Sequence, residues 1–266
     1  MSAAEPIAQR SQIEKEFYYH GFLPREDVKT VLKANGEFLI RMSEPGKGEP
    51  RSYILSVMHN MPMSIDEETW DSVRDDVMLI KAIPRQSWEL DHENIKILRK
   101  LGEGAYGEVS IGKLKFRKGG KTVNVFIKQA KLSNLTEDQI KEFMGEARVM
   151  RGFAHPHVVR FYGVAATTEP LYMVMELATY ALDSYLMMNP DLTIEKKNEM
   201  ILQAAWGLEY LHSKPVMHRD IAARNYLYGD GRVKLSNFGS TRNGITYLDD
   251  PNGSAPVRYV AVEVIR

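Results

Sequence analysis

Eight consecutive residues, His218-Arg219-Asp220-Ile221-Ala222-Ala223-Arg224-Asn225, constrain this chain more than any other stretch. Asp220 can accept a proton from a hydroxyl group. Asn225, five residues later, can offer a neutral oxygen to a magnesium ion. By itself the stretch is also an ordinary polar loop following a helix. What argues against that reading is order. A glycine-rich segment lies upstream, and Asn237-Phe238-Gly239 lies downstream.

The upstream segment places Gly102, Gly104 and Gly107 in the spacing G-x-G-x-x-G, with Val109 two residues on. Alone it is a weak signal, because tight hairpins and dinucleotide sites use the same letters. Strand-like residues flank it on both sides, whereas a dinucleotide site needs a helix next. "NVFIK" (124–128) then reads as a strand ending in Lys128. Residues 136–150 read as a helix with a Thr136/Gln139 capping box and an inner stripe of Ile140, Phe143, Ala147 and Met150. That helix supplies Glu146 as an ion-pair partner for Lys128, although either residue alone is more often a surface charge. Residues 193–212 read as a long helix with Ile201, Ala204, Leu208 and Leu211 turned to a core.

The N-terminal third is different. Residues 1–16 are polar and aperiodic and read as a flexible tail. A short helix is expected within 24–36, strands at 37–42 and 52–57, and a helix over 64–83 opened by a Ser64/Glu67 capping box and closed by Pro84. Residues 85–93 read as a linker. Arg41 falls inside an apolar strand, and a buried arginine needs an anion. A phosphate would satisfy it, as would an internal pair with Glu37 or Glu44.

Composition closes several alternatives. Lys plus Arg and Asp plus Glu both total 35, so there is no net charge to draw nucleic acid. There is no cysteine, which excludes disulfides and thiolate metal sites. No apolar run reaches the length of an integral membrane segment. The opening "MSAAEPIAQR" lacks an apolar signal core, and Ser2 is not the glycine that N-myristoylation requires. A cytoplasmic location is the expectation.

Residues 89–266 resemble a protein kinase, and the "AAR" between Asp220 and Asn225 with "PVRY" (256–259) resembles a tyrosine kinase. "FYYHGFLPRED", "GEFLIRMSE" and "SYILSV" within 17–58 resemble the first half of an SH2 domain. An SH2 unit joined by "SWEL" to a tyrosine kinase is most similar to the Fes/Fer group of cytoplasmic, non-receptor kinases. The implied fold is α+β: a partial SH2-like domain (17–84), a linker (85–93), and a bilobal kinase (94–266) with a β-rich N-lobe and a helical C-lobe, truncated after the activation segment.

The resemblance implies roles by position. ATP would lie against Gly102, Gly104, Gly107, Val109 and Lys128, with Lys128 paired to Glu146. Asp220 would be the catalytic base beside Arg224, Mg2+ would be held by Asn225 and position 237, and Tyr247 would be the activation-loop tyrosine. Arg25, Arg41 and Ser43 would bind phosphotyrosine. The expected partners are phosphotyrosine-containing proteins and, for an active enzyme, a protein tyrosine substrate.

Four departures bear on activity. Asn237 stands where the metal-chelating Asp-Phe-Gly aspartate is expected, and magnesium prefers carboxylate oxygens. Phe126 replaces the alanine two residues before Lys128 and shares its face, which would fill the adenine site unless the strand repacks locally. Val262 interrupts the Ala-Pro-Glu motif near the end of the chain. The SH2-like unit is short between Asn60 and the linker, where strands that set peptide selectivity would lie. Three expectations follow: a pseudokinase-like phosphotyrosine-binding protein, an active tyrosine kinase, and a degenerate product with neither function.

Overall fold

Alternation of apolar and polar side chains organises the first unit. Strand β2 (Glu37–Met42) buries Glu37, Leu39 and Arg41 on one face and half-exposes the residues between. It pairs antiparallel with β3 (Tyr53–Val57) along one edge. Its other edge is shared by two parallel neighbours, β1 (Tyr19–Phe22) beside Ile40 to Met42, and β4 (Lys81–Ala82) beside Glu37 and Phe38. Helix α1 (Arg25–Val31) covers the buried face, where Leu23, Val28, Leu32, Leu39 and Ile83 form a small core.

The computed structural model describes residues 12–42, 52–59, 78–116, 119–131, 135–243 and Tyr259. Ser43, Glu44, Tyr247, Val262 and residues 64–77 of the expected helix lie outside them. At the end of that expected helix, 78–80 carry no regular structure and 81–82 are strand β4. The reason is local: the Gly36 carbonyl accepts from both Ile80 and Lys81 amides, which binds this segment to the sheet. Within the expected tail, Gln12–Lys15 form one turn of 3-10 helix.

The second unit has a five-stranded antiparallel sheet ordered β5-β6-β7-β9-β8: β5 (Ile95–Gly104), β6 (Gly107–Lys115), β7 (Thr122–Ala130), β8 (Phe161–Ala165) and β9 (Leu171–Glu176). Helix α2 (Glu137–Met150) follows β7, with the Thr136/Gln139 capping box formed. Its stripe Ile140, Phe143, Ala147 and Met150 is buried against one sheet face. Val125 and Ile127 face the other side, in a separate core with Ile95, Leu114 and Val174.

Beyond β9 come β10 (Tyr180–Ala181), α3 (Leu182–Met188), α4 (Ile194–His212), β11 (Val216–Met217), β12 (Tyr226–Gly229), β13 (Arg232–Leu235) and β14 (Arg242–Asn243). The buried positions of α4 are Met200, Gln203, Gly207 and Leu211, and the expected core residue Ile201 is 67% exposed. Gln203 turns the helix: its side-chain oxygen accepts from the Val233 amide at 2.7 Å, so a polar residue marks the inward face. No helix among the described residues is long and apolar enough to cross a membrane.

The two units are joined by more than sequence. The Phe22 amide donates to the Ala166 carbonyl at 2.8 Å, and the Phe22 ring enters the main core of the second unit. His20 Nδ1 lies 2.9 Å from Glu89 and its Nε2 2.9 Å from the Ile83 carbonyl, so both ring nitrogens are hydrogen-bonded. Asp27 of α1, 1% exposed, accepts both nitrogens of an Arg148 fork at 3.0 Å and a further bond from Arg151. Arg151 also lies 4.1 Å over the Trp88 ring. The expected linker is thereby packed structure: Glu89 is buried and bridges Val164 of β8.

A carboxylate so buried stabilises through its partners, and removing it strands two cations at the joint. Asp27→Ala is expected to lower unfolding stability by about 2 kcal/mol in urea titration. Glu26→Ala removes only an exposed contact at 3.8 Å; its effect should stay within about 0.5 kcal/mol.

Candidate functional site

The glycine segment is a β-hairpin. β5 ends at Gly104, β6 begins at Gly107, and Ala105 and Tyr106 form the turn. Gly107 has φ +142°, and a Cβ there would stand 2.8 Å from the Gln129 carbonyl oxygen, so only glycine lets the tip settle on β7. Val109 pairs with Gly102 on one side and with Lys128 on the other.

Lys128 points from β7 towards α2. Its Nζ donates to Glu146 at 2.7 and 3.0 Å, and Glu146 is 3% exposed. Phe126 shares this face by strand alternation. It stands between Ile111 and Met175 of the neighbouring strands and packs against the main core.

The loop around Asp220 forms one connected network. Arg224 donates to Asp220 Oδ1 at 2.5 Å, and Asn225 Nδ2 donates to Asp220 Oδ2 at 2.6 Å and to its carbonyl at 2.7 Å. Asn237 Nδ2 donates to Asn225 Oδ1 at 2.9 Å. The Ser236 amide and hydroxyl both bond the Asn225 carbonyl. His218 Nε2 donates to the Ser236 carbonyl at 2.8 Å while its Nδ1 accepts from the Asp220 amide at 3.3 Å. Burial holds its pKa below the usual histidine value, consistent with a neutral ring donating from Nε2. Arg219 and Asn237 both occupy the left-handed region, with φ +69° and +64°. Phe238 is 1% exposed, packed on His218 and Phe153. Tyr259 lies under Arg224, 5.0 Å from the guanidinium carbon.

In the first unit, Arg41 is 8% exposed on the α1-facing side of β2, and its Nε donates to Ser56 at 3.2 Å. Arg25 opens α1 at the same side of the sheet and is half-buried. Glu37, one of the two acidic partners considered for Arg41, is engaged elsewhere. It accepts from the Lys33 amide at 2.7 Å, Lys81 Nζ at 2.9 Å and the Ala34 amide at 3.0 Å.

The sequence reading missed the Asp27–Arg148–Arg151 cluster and the His20–Glu89 pair. Two arginines three residues apart on the outer side of α2 were the available signal for the first. It also missed the inward turn of Tyr106.

Comparison with known proteins accords with this geometry. The SH2 domain family matches residues 18–82, and the protein tyrosine and serine/threonine kinase family matches residues 95–266. The chain belongs to that kinase family and carries an SH2 domain ahead of the kinase domain. Within the family it is homologous to the Fps/Fer non-receptor tyrosine kinases. It is 31% identical to human tyrosine-protein kinase Fer over 293 residues, covering 97% of this chain and 34% of Fer. It is 33% identical to spermatocyte protein spe-8 of Caenorhabditis briggsae over 280 residues, covering 94% and 54%. It is 33% identical to Fer-related kinase 1 of Caenorhabditis elegans over 282 residues, covering 94% and 71%. The chain spans about half the length of the spe-8 relatives it matches.

Protein kinases of this family use ATP and Mg2+. The residues at the metal position do not fit that ion. Magnesium takes oxygen ligands, with carboxylates preferred. Here both positions are amides, and Asn237 presents its N–H to the Asn225 oxygen.

Glu37 gives a pH signature. The Lys33 amide, then Lys81 and the Ala34 amide, pull it down from 4.5 to about 2. A depressed folded-state value contributes stability above the unfolded value that is lost as pH falls towards the folded one. Urea midpoints of the unmodified chain should therefore drop as pH falls from about 4.5 towards 2, and Glu37→Gln should flatten part of that drop.

Proposed function

We propose that this chain is a phosphotyrosine-binding signalling protein whose kinase domain is impaired in ATP-dependent tyrosine phosphorylation. The observation that carries the reading is the Asn237 Nδ2–Asn225 Oδ1 hydrogen bond at 2.9 Å. In an active relative these two side chains would present oxygens to a shared cation that offsets phosphate charge. Here they satisfy each other. Phe126 adds a second obstacle, since it projects on the face that an adenine ring would need. Asp220 remains oriented as a proton acceptor for a tyrosine hydroxyl by Arg224 and Asn225. Lys128, held by Glu146, would hold nucleotide phosphates, so this pair is not among the obstacles.

On the binding side, Arg41 would take the phosphate with its guanidinium fork, joined by Arg25 and Ser43. A partly buried arginine against a strand serine, with Glu37 engaged elsewhere, supports this assignment. The likeness to non-receptor kinases supports a cytoplasmic location as part of this reading.

A second reading, an active non-receptor tyrosine kinase, draws on the intact Lys128–Glu146 pair and the buried Phe238, both of which an active site requires. Under that reading Tyr247 is the activation-loop tyrosine and a protein tyrosine is the substrate.

Calorimetry with a phosphotyrosine peptide should show weak binding by the full chain, little discrimination among peptide sequences, and a loss of about 100-fold or more in Arg41→Ala. Equal binding of the unphosphorylated peptide would sink the assignment. Failure of both peptide binding and phosphorylation would favour a product with neither function.

Peptide phosphorylation should be undetectable for the unmodified chain and for Asn237→Asp, because Phe126 still stands in the cleft. Asn237→Asp with Phe126→Ala should regain nucleotide binding, with little turnover. Robust phosphorylation by the unmodified chain, lost in Asp220→Ala, would establish the second reading instead.

A further inference from the structure

Tyr106 is the second residue of the turn at the hairpin tip, a position that sheet geometry leaves free to face solvent. It faces inward. Its ring meets Phe143 of α2 edge-on, with centroids 5.4 Å apart and planes at 80°. Phe143 is fully buried and lies one helical turn before Glu146. The phenol oxygen reaches the loop after β13, 3.9 Å from where a Cβ on Gly239 would stand. Glu146 Oε2 lies at the same 3.9 Å from that point. The tip itself is pressed down, since Gly107 leaves no room for a Cβ against Gln129.

The side chain therefore spans the space beneath the hairpin, from its tip to α2 and to Gly239. Beneath the glycine-rich hairpin is where a protein-kinase fold covers nucleotide phosphates. With Tyr106 inside, the phenol and the Glu146 carboxylate occupy that space, and Lys128, paired with Glu146, is a cation that a polyphosphate would meet there once the ring has left.

We propose that Tyr106 is a latch that closes the phosphate compartment, so that a polyphosphate enters only when the ring leaves Phe143. The inference rests on the reading above only in taking the space under the hairpin as a kinase-type phosphate compartment. It is independent of Asn237 and Phe126.

The test uses the full chain and inorganic tripolyphosphate without metal, a probe with no adenine for Phe126 to exclude. Calorimetry compares the unmodified chain with Tyr106→Phe, Tyr106→Ala and Tyr106→Ala combined with Lys128→Ala. Tyr106→Ala should bind about tenfold more tightly than the unmodified chain, the scale of one lost aromatic contact with its buried ring. Tyr106→Phe, which keeps the ring on Phe143, should bind like the unmodified chain. Adding Lys128→Ala should cancel the gain. Equal binding by Tyr106→Ala and the unmodified chain overturns the latch, as does a gain that survives Lys128→Ala. Should Tyr106→Ala melt without a cooperative transition, Tyr106→Leu, which removes the ring but keeps an apolar side chain at the tip, takes its place with the same outcomes required. Results of the phosphopeptide and Phe126→Ala experiments bear on the broader reading and leave this outcome unchanged.

Discussion

A carboxylate with only 3% exposure needs a partner to offset its burial, and for Glu146 that partner is Lys128. Much of the second unit is arranged around this pair. It fixes α2 on β7, while Phe143, Ala147 and Met150 of the same helix supply apolar contact. The opposite side of α2 carries Arg148 and Arg151 into the first unit. One helix is thus tied by charge on both sides, once to its own sheet and once to Asp27. Its position cannot shift by a turn without exposing an unpaired buried charge on one side or the other.

Position 237 shows how much can turn on one atom. An aspartate there would set oxygen against the Asn225 oxygen, a repulsive arrangement that calls for a cation between them. Asparagine sets an N–H against that oxygen, and the contact closes without help. The amide also tolerates the left-handed backbone at this position, φ +64°, better than most side chains. The local geometry is therefore kept while its electrostatic demand is removed.

The sequence was informative where a pattern is repeated along one element. The α2 stripe, its capping box and strand β2 could be read directly, since each rests on contacts a few residues apart. The loop from His218 to Asn225 could be placed by its spacing, and the structure joins it to Asn237 through side chains twelve residues apart. What could not be read was set by partners distant in sequence. Nothing near Lys81 announces a strand, because its pairing partner is Glu37. Gln203 looks like a solvent-facing glutamine until the Val233 amide is placed against it. Asp27 likewise looks like an ordinary acidic first-turn residue, and only the arginines more than a hundred positions later make it a buried hub.

The segment between the two units has a further consequence. β8 is the last strand of its sheet, and its free side is taken by the linker. Val164 donates to the Trp88 carbonyl and accepts from the Leu90 amide, both at 2.9 Å. Gly163 carries φ +150° and lies so close to Trp88 that no side chain would fit. The boundary between domains in the sequence is therefore a seam inside a sheet. A kinase half cut loose just after the linker would present an unpaired strand edge in water, the kind of surface that recruits other chains. The residues that join the two domains also cover that edge of the second one.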